Sequence, residues 1–207
     1  MSDLLPRALT AGVLTGLVGY LFMVLSSITF ATLLCALLVY ILVAEWPRFN
    51  AWWLTPFYPV VPFLALVDLY LMRPDAWAWL VVVVAAYDTG GYIFGKFFGT
   101  LPIAPKISSG KTVQGFLGGV LFAGFISTLF ACFLQKSLYS GTLITYCMGL
   151  CIGIIAFFGD LLESYLKRRA GLKDSGYILP GHGGVLDRID GLLLAALVMD
   201  IFLTFFR

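Results

Sequence analysis

Residues 159–190 read G-D-L-L-E-S-Y-L-K-R-R-A-G-L-K-D-S-G-Y-I-L-P-G-H-G-G-V-L-D-R-I-D. They hold five of the chain's eleven acidic residues, five of its thirteen basic residues and its single histidine. On a helix, Asp160, Glu163 and Lys167 share one face. Asp187 and Asp190, three apart, lie together at the start of a following helix. Carboxylates gathered by such a re-entering loop form a hard, oxygen-rich pocket suited to Mg²⁺. Gly181-His182-Gly183-Gly184 lets backbone come close to a phosphate, and the neighbouring arginines and lysines supply charge to neutralise it. A salt-bridged juxtamembrane loop is the plain alternative, but it leaves the glycines around a lone histidine without a reason. On this reading His182 orients a carboxylate or hydrogen-bonds a phosphate, and no general base is needed if the nucleophile is already an anion.

A second stretch, 96–114, reads K-F-F-G-T-L-P-I-A-P-K-I-S-S-G-K-T-V-Q, with three lysines, hydroxyl residues and no acid. It suits an anionic ligand or, equally, anionic lipid headgroups. Ser108-Ser109-Gly110-Lys111-Thr112 resembles the end of a P-loop, but Pro105 stands where that motif needs glycine and no preceding strand is predicted. Gly90-x4-Gly95-Lys96 fails because Phe97 replaces the hydroxyl residue.

The elements that must position these groups are membrane helices. The chain is 61% hydrophobic and 12% charged, with a mean hydropathy of +0.99. A bilayer core takes roughly 20 apolar residues per helix. Charge-poor runs near 8–25, 27–44, 51–72, 76–95, 115–134, 141–158 and 191–206 predict an all-α, polytopic integral membrane bundle of about seven (six to eight) spans. Ser26-Ser27 is the expected break between the first two. One domain over 1–207 is expected, with 1–75 as scaffold and 76–207 carrying the chemistry in loops 96–114 and 159–190. Segment 1–7 contains Asp3 and Pro6, so no cleavable signal peptide is expected. With seven spans, ten of thirteen basic residues fall on the side of these two loops, which the positive-inside rule makes cytoplasmic. Pro47, Pro56, Pro59 and Pro62 predict an irregular start to the third span. Trp46, Trp52, Trp53, Trp77 and Trp79 are expected as interfacial anchors. Cys35, Cys132, Cys147 and Cys151 are expected as buried free thiols. Gly115/Gly119 and Gly149/Gly153 have G-x-x-x-G spacing, which predicts close helix packing and leaves a homodimer open. Two acids lie inside apolar runs. Asp68 is expected either to make a helix-to-helix hydrogen bond or to lie close to a loop, and Asp88, followed by Thr89-Gly90-Gly91, is a functional candidate.

Ser164-Tyr165-Leu166-Lys167-Arg168, Lys173-Asp174 and Leu179-Pro180-Gly181-His182-Gly183-Gly184-Val185-Leu186-Asp187-Arg188-Ile189-Asp190 together resemble the signature of the phosphatidate cytidylyltransferase (CDP-diacylglycerol synthase) family. Gly159-Asp160-Leu161, Glu163 and Asp88-Thr89-Gly90 are similar to it as well. The likeness covers roughly the C-terminal 60% of the chain. One departure is Gln114, where the family pattern S-P-x-K-T-x-E-G has Glu. The resemblance implies a membrane nucleotidyltransferase in phospholipid biosynthesis, with CTP and phosphatidate as substrates, membrane lipids around it, no nucleic acid partner, and a bacterial inner-membrane location. It implies Asp160 and Asp187 as Mg²⁺ ligands, with Asp190 as a ligand or beside one, and room for a monovalent cation. Lys167, Arg168, Lys173 and Arg188 would bind phosphates, Lys167 and Arg188 at the reacting centre. Ser108, Lys111 and Thr112 would contact nucleotide or lipid phosphate, with Asp88, Ser164, His182, Gly183 and Gly184 also lining the substrate site. Asp174 would pair with a nearby cation. The rival readings are a CTP-dependent enzyme acting on an isoprenoid lipid (a CDP-archaeol synthase or polyprenol kinase) and an ion-coupled transporter using Asp68 and Asp88.

Overall fold

The computed structural model describes residues 19–133, 141–178 and 183–205, and they form an all-α membrane bundle with one small β-hairpin. After helical residues 19–24 come α1 (Ser27–Tyr40), α2 (Val61–Met72), α3 (Pro74–Phe98), α4 (Val113–Phe133), α5 (Thr142–Arg169) and α6 (Leu186–Phe205). Strands β1 (Pro102–Ala104) and β2 (Ser108–Thr112) lie between α3 and α4. Among the described residues, Ser27–Phe49, Pro74–Phe98, Val113–Phe133 and Thr142–Arg169 are long and apolar enough to cross a bilayer. The chain is an integral membrane protein. The apolar run at 51–72 gives a shorter helix, because the chain is irregular through its prolines until Val60. The first expected span, 8–25, falls largely outside the described residues.

Ser26 breaks the chain as expected: its Oγ accepts the Thr29 N–H and caps α1. Beyond Tyr40 the helix widens into a π-turn, Ile41–Glu45, then tightens into a 3₁₀ turn, Trp46–Phe49. Trp46 locks this corner, donating to Thr55 Oγ1 at 2.8 Å and stacking on Phe49 with ring centres 5.2 Å apart. The corner closes through Asn50, whose φ of 48° is the left-handed conformation that Asn tolerates.

The core runs down the middle of the bundle through Phe63, Leu69, Trp79, Leu80, Val83, Ala156, Leu193 and Ala196. An aromatic cluster of Phe22, Phe30, Tyr70 and Trp77 ties the N-terminal helices to α2 and α3. Two expectations are corrected here. Trp46, Trp77 and Trp79 are core residues, and only Trp52 and Trp53 point outward. The four cysteines are free thiols but exposed on outward helix faces, not buried. In a membrane bundle an apolar residue has no need of the core, because lipid serves it as well.

The glycine spacing does pack helices. A Cβ at Gly90 would meet Phe122 Cβ at 2.7 Å, and one at Gly119 would meet the Tyr87 carbonyl at 2.8 Å, so α3 and α4 cross almost backbone to backbone. Gly159 and Gly191 bring α5 and α6 together in the same way. These contacts fix the floor on which the charged residues stand.

Candidate active site

Five chain segments meet at one end of the bundle. The last turns of α3 bring Asp88, α5 brings Asp160, Glu163, Ser164 and Lys167, and α6 brings Asp187 and Asp190. The hairpin and the 171–185 loop complete the site.

The hairpin replaces the strandless loop expected from the sequence. Pro102 pairs with Thr112 and Ala104 with Ser108, with a bulge between. Gln114 holds its base: Oε1 accepts the Thr100 and Leu101 N–H groups at 3.1 and 3.3 Å, and Nε2 donates to Thr100 Oγ1 at 2.6 Å. A Glu would accept both amides equally and would meet Thr100 Oγ1 only with the direction reversed, the hydroxyl donating to the carboxylate. Thr112 Oγ1 accepts the Gly115 N–H and caps α4. Lys111 and Thr112 thus lie in a strand that runs directly into the helix, which is not P-loop geometry.

The hairpin carries Lys111 inward to an ion pair with Asp160 and to within 5.1 Å of the centre of the Phe157 ring. Above this pair opens a cavity of about 180 Å³, lined by Tyr87, Asp88, Tyr92, Lys111, Thr112 and Asp160, among others. Asp160 is a third exposed and also accepts from Ser164 Oγ at 3.3 Å.

Deeper in, Lys167 bridges two carboxylates, pairing with Glu163 one helical turn back and with Asp187 Oδ1 at 2.6 Å. Glu163 has no exposed surface at all. The common helix face of Asp160, Glu163 and Lys167 is therefore as the spacing predicted. Three basic residues close the last turn of α5, where the helix dipole favours them. Gly171, at φ 70°, turns the chain out of the helix. Arg168 spends its guanidinium on the Ile107 and Leu172 carbonyls, at 3.1 and 2.9 Å, and so ties α5 to the hairpin. Lys173 and Asp174 are exposed.

Asp187 is surrounded by donors. Besides Lys167, its Oδ2 receives the Ser175 N–H at 2.9 Å and the Gly184 N–H at 2.8 Å, with Ser175 Oγ at 3.0 Å. This shell holds the carboxylate ionised and fixed. Gly183 has a φ of 80°, and a Cβ there would stand 2.5 Å from Asp187 Oδ2. His182 lies outside the described residues.

A divalent cation was expected on Asp160, Asp187 and Asp190. Among the described residues no three acids, cysteines or histidines close on one point, and Asp187 already has both oxygens engaged. Asp190, however, lies near enough to Asp160, Glu163 and Asp88 to feel each of their charges. Asp160 faces the cavity. A carboxylate open to the cavity, as Asp160 is, fits a divalent cation of the kind held by one or two carboxylates with phosphate oxygens and water.

Several residues escaped the sequence reading. Glu45, Arg48 and Ser175 all bond into the 171–186 segment, and Tyr87, Tyr92 and Phe157 line the cavity. At the opposite end of the bundle Asp68 of α2 lies close to Asp200 of α6, near Arg73. It does not meet Asp88.

A lysine-and-carboxylate site at one end of a polytopic membrane bundle defines the class: a membrane protein built to handle anionic groups at the lipid boundary. Residues 5–206 match the cytidylyltransferase family model, and the chain belongs to that family. It is 44% identical over 149 residues to a phosphatidate cytidylyltransferase of Helicobacter pylori, covering 72% of this chain and 54% of that protein. It is 35% identical over 187 residues to the Haemophilus influenzae phosphatidate cytidylyltransferase (81% of this chain, 65% of the relative). It is 41% identical over 126 residues to that of Mycobacterium leprae (60% and 39%). The chain thus spans about half the length of the relatives it matches.

Proposed function

We propose that this chain transfers CMP from CTP to phosphatidate, releasing pyrophosphate and forming CDP-diacylglycerol for phospholipid synthesis. The observation that carries this reading is Lys111 set against Asp160 in the cavity wall, with Lys167 held deeper between Glu163 and Asp187. Relatives bearing the name phosphatidate cytidylyltransferase supply the substrates.

The difficulty of the reaction is electrostatic, because two polyanions must meet. An oxygen of the lipid phosphate forms a bond to the α-phosphorus of CTP, and the bond from that phosphorus to the bridging oxygen breaks, with the electron pair leaving on pyrophosphate. No proton has to be removed from the nucleophile. Lys111 sits at the cavity wall, where it can shift from Asp160 to an incoming phosphate. Lys167, held between Glu163 and Asp187, ties α5 to the start of α6 and keeps the carboxylates of this end in place. Arg188 adds charge from the first turn of α6. A divalent cation held by Asp160 and Asp190 would neutralise phosphate charge and polarise the α-phosphoryl group. Asp187, already saturated, orients Lys167 and the glycine turn. Substrate-side contacts fall to Ser108, Thr112, Ser164, Asp88 and Gly183. The enzyme would lie in the bacterial inner membrane with this end of the bundle in the cytoplasm, where CTP is available.

The test is transfer of labelled CMP from CTP to phosphatidate in detergent micelles, with and without Mg²⁺. The expected result is a CDP-lipid that forms only with the metal. Product with an isoprenoid lipid phosphate and none with phosphatidate would move the reading to the related enzymes. No product from a folded protein on any lipid phosphate would overturn it.

A further inference from the structure

Glu45 has no exposed surface, and no mechanism yet uses it. Its Oε1 accepts the Val185 N–H at 2.7 Å. Its Oε2 accepts the Leu186 N–H and the Ser175 hydroxyl, both at 2.9 Å. Leu186 opens α6, so a buried carboxylate from a distant helix caps the N-terminus of the helix that carries Asp187 and Asp190. Ser175 Oγ stands between the two acids, 2.9 Å from Glu45 and 3.0 Å from Asp187. Its single proton serves one of them at a time, and Asp187 keeps the Ser175 N–H in either case. Three residues on, Arg48 donates to the Ser175 carbonyl and to Tyr177 Oη, and lies 4.5 Å above the Tyr177 ring. A Cβ on Gly184 would meet Gly176 N at 2.6 Å and Glu45 Cδ at 2.7 Å. At Gly184, therefore, the close backbone approach is to Glu45 and Gly176.

We propose that Glu45 and Arg48 are positioning residues of the active site, a clamp that fixes Ser175, Tyr177, Val185 and Leu186 and with them the Asp187–Lys167 pair. This rests on the cytidylyl-transfer reading. The π-turn at Ile41–Glu45 is part of the device, because the extra residue in that turn is the local irregularity that precedes the buried glutamate. Three donors match the charge of Glu45. Neutralising it therefore leaves the donors of Val185, Leu186 and Ser175 facing an amide that can accept on only one side.

In the full chain purified in detergent, Glu45→Gln is expected to lower kcat/KM for CTP on the order of 10–100-fold. KM for CTP should rise, and the Val185 and Leu186 amides should exchange with solvent faster. KM is decisive, because a smaller folded fraction lowers the rate without moving it. Ser175→Ala leaves the two backbone bonds to Glu45 intact and is expected to shift the same quantities less. The double variant should fall short of the sum of the two effects. An unchanged KM, with kcat falling only in proportion to the folded fraction, overturns the positioning role. Collapse of the fold in both single variants overturns it too, since the segment would then belong to the folding core. If the wild-type chain makes no CDP-lipid, the functional reading fails separately. The clamp is then decided by amide exchange, and no acceleration in Glu45→Gln sinks it.

Discussion

Two covers close the charged end of this bundle, and they are held in opposite ways. The hairpin is held mainly by its neighbours: strand pairing, Gln114 on Thr100 and Leu101, and Thr112 capping α4. Among the described residues, its side-chain ties to a distant helix run to α5 alone, through Arg168 on the Ile107 carbonyl and Lys111 on Asp160. The described ends of the other cover, around Ser175–Tyr177 and Val185–Leu186, are held from afar by Glu45 and Arg48, whose partners lie 127 to 141 positions away in the sequence. The charges differ to match. Lys111 under the hairpin has one carboxylate and an open cavity beside it. Asp187 under the loop has donors on both oxygens. A locally held cover with a lightly engaged lysine suits a part that exchanges partners as substrate arrives. A remotely clamped cover around a saturated carboxylate suits a part that stays still.

The sharpest way to break this contrast is Asp187→Asn, which puts an amide into a shell of donors and leaves Lys167 with Glu163 alone. Turnover is expected to fall by about 1,000-fold or more, read as the initial rate of CDP-lipid formation. Full activity would sink the mechanism. Lys111→Ala should cost about 100-fold while amide exchange in the 171–185 loop stays at the wild-type level. Exchange rising there would mean that the two covers are one unit. Gln114→Ala should be milder, a loss of about tenfold or less with a higher KM for CTP, because it loosens the hairpin without touching its lysine. Gln114→Glu, which still accepts both amides, should stay within about threefold of wild type. At the far end of α6, Asp68→Asn should leave CMP transfer within about twofold, since roughly 20 Å of helix separates Asp200 from Asp187. A large loss there would favour a role for the Asp68–Asp200 pair in the reaction.

The same contrast governs what the sequence discloses. Periodicity was enough for the bundle and for the shared face of Asp160, Glu163 and Lys167, because both are local. The cationic loop was recognisable by composition, but its strands were not. A three-residue and a five-residue strand containing Pro102, Gly110 and Lys111 carry no alternation to read. The aromatic and thiol expectations failed for a different reason. In lipid, Cys and Trp are at home on either face of a helix, so residue type does not say which way a side chain points. Glu45 was legible only in hindsight. An acid between Ala44 and Trp46, ahead of a proline, has apolar neighbours that a solvated end-of-helix glutamate would lack. What satisfies it lies more than a hundred residues downstream, beyond the reach of any pattern of spacing.

That separation sets an order on the protein's biogenesis. Ribosomes add roughly 5–20 residues per second, so Glu45 enters the membrane seconds before Ser175, Val185 and Leu186 are made. In that interval its carboxylate has no permanent partner and must keep company with water or protons at the bilayer edge. Ser175, Val185 and the first residue of α6 supply the missing donors, and α6 brings Asp187 and Asp190 with them. The carboxylates of this end are therefore not gathered until α6 is seated, and a product cut short before it leaves Glu45 buried without those donors.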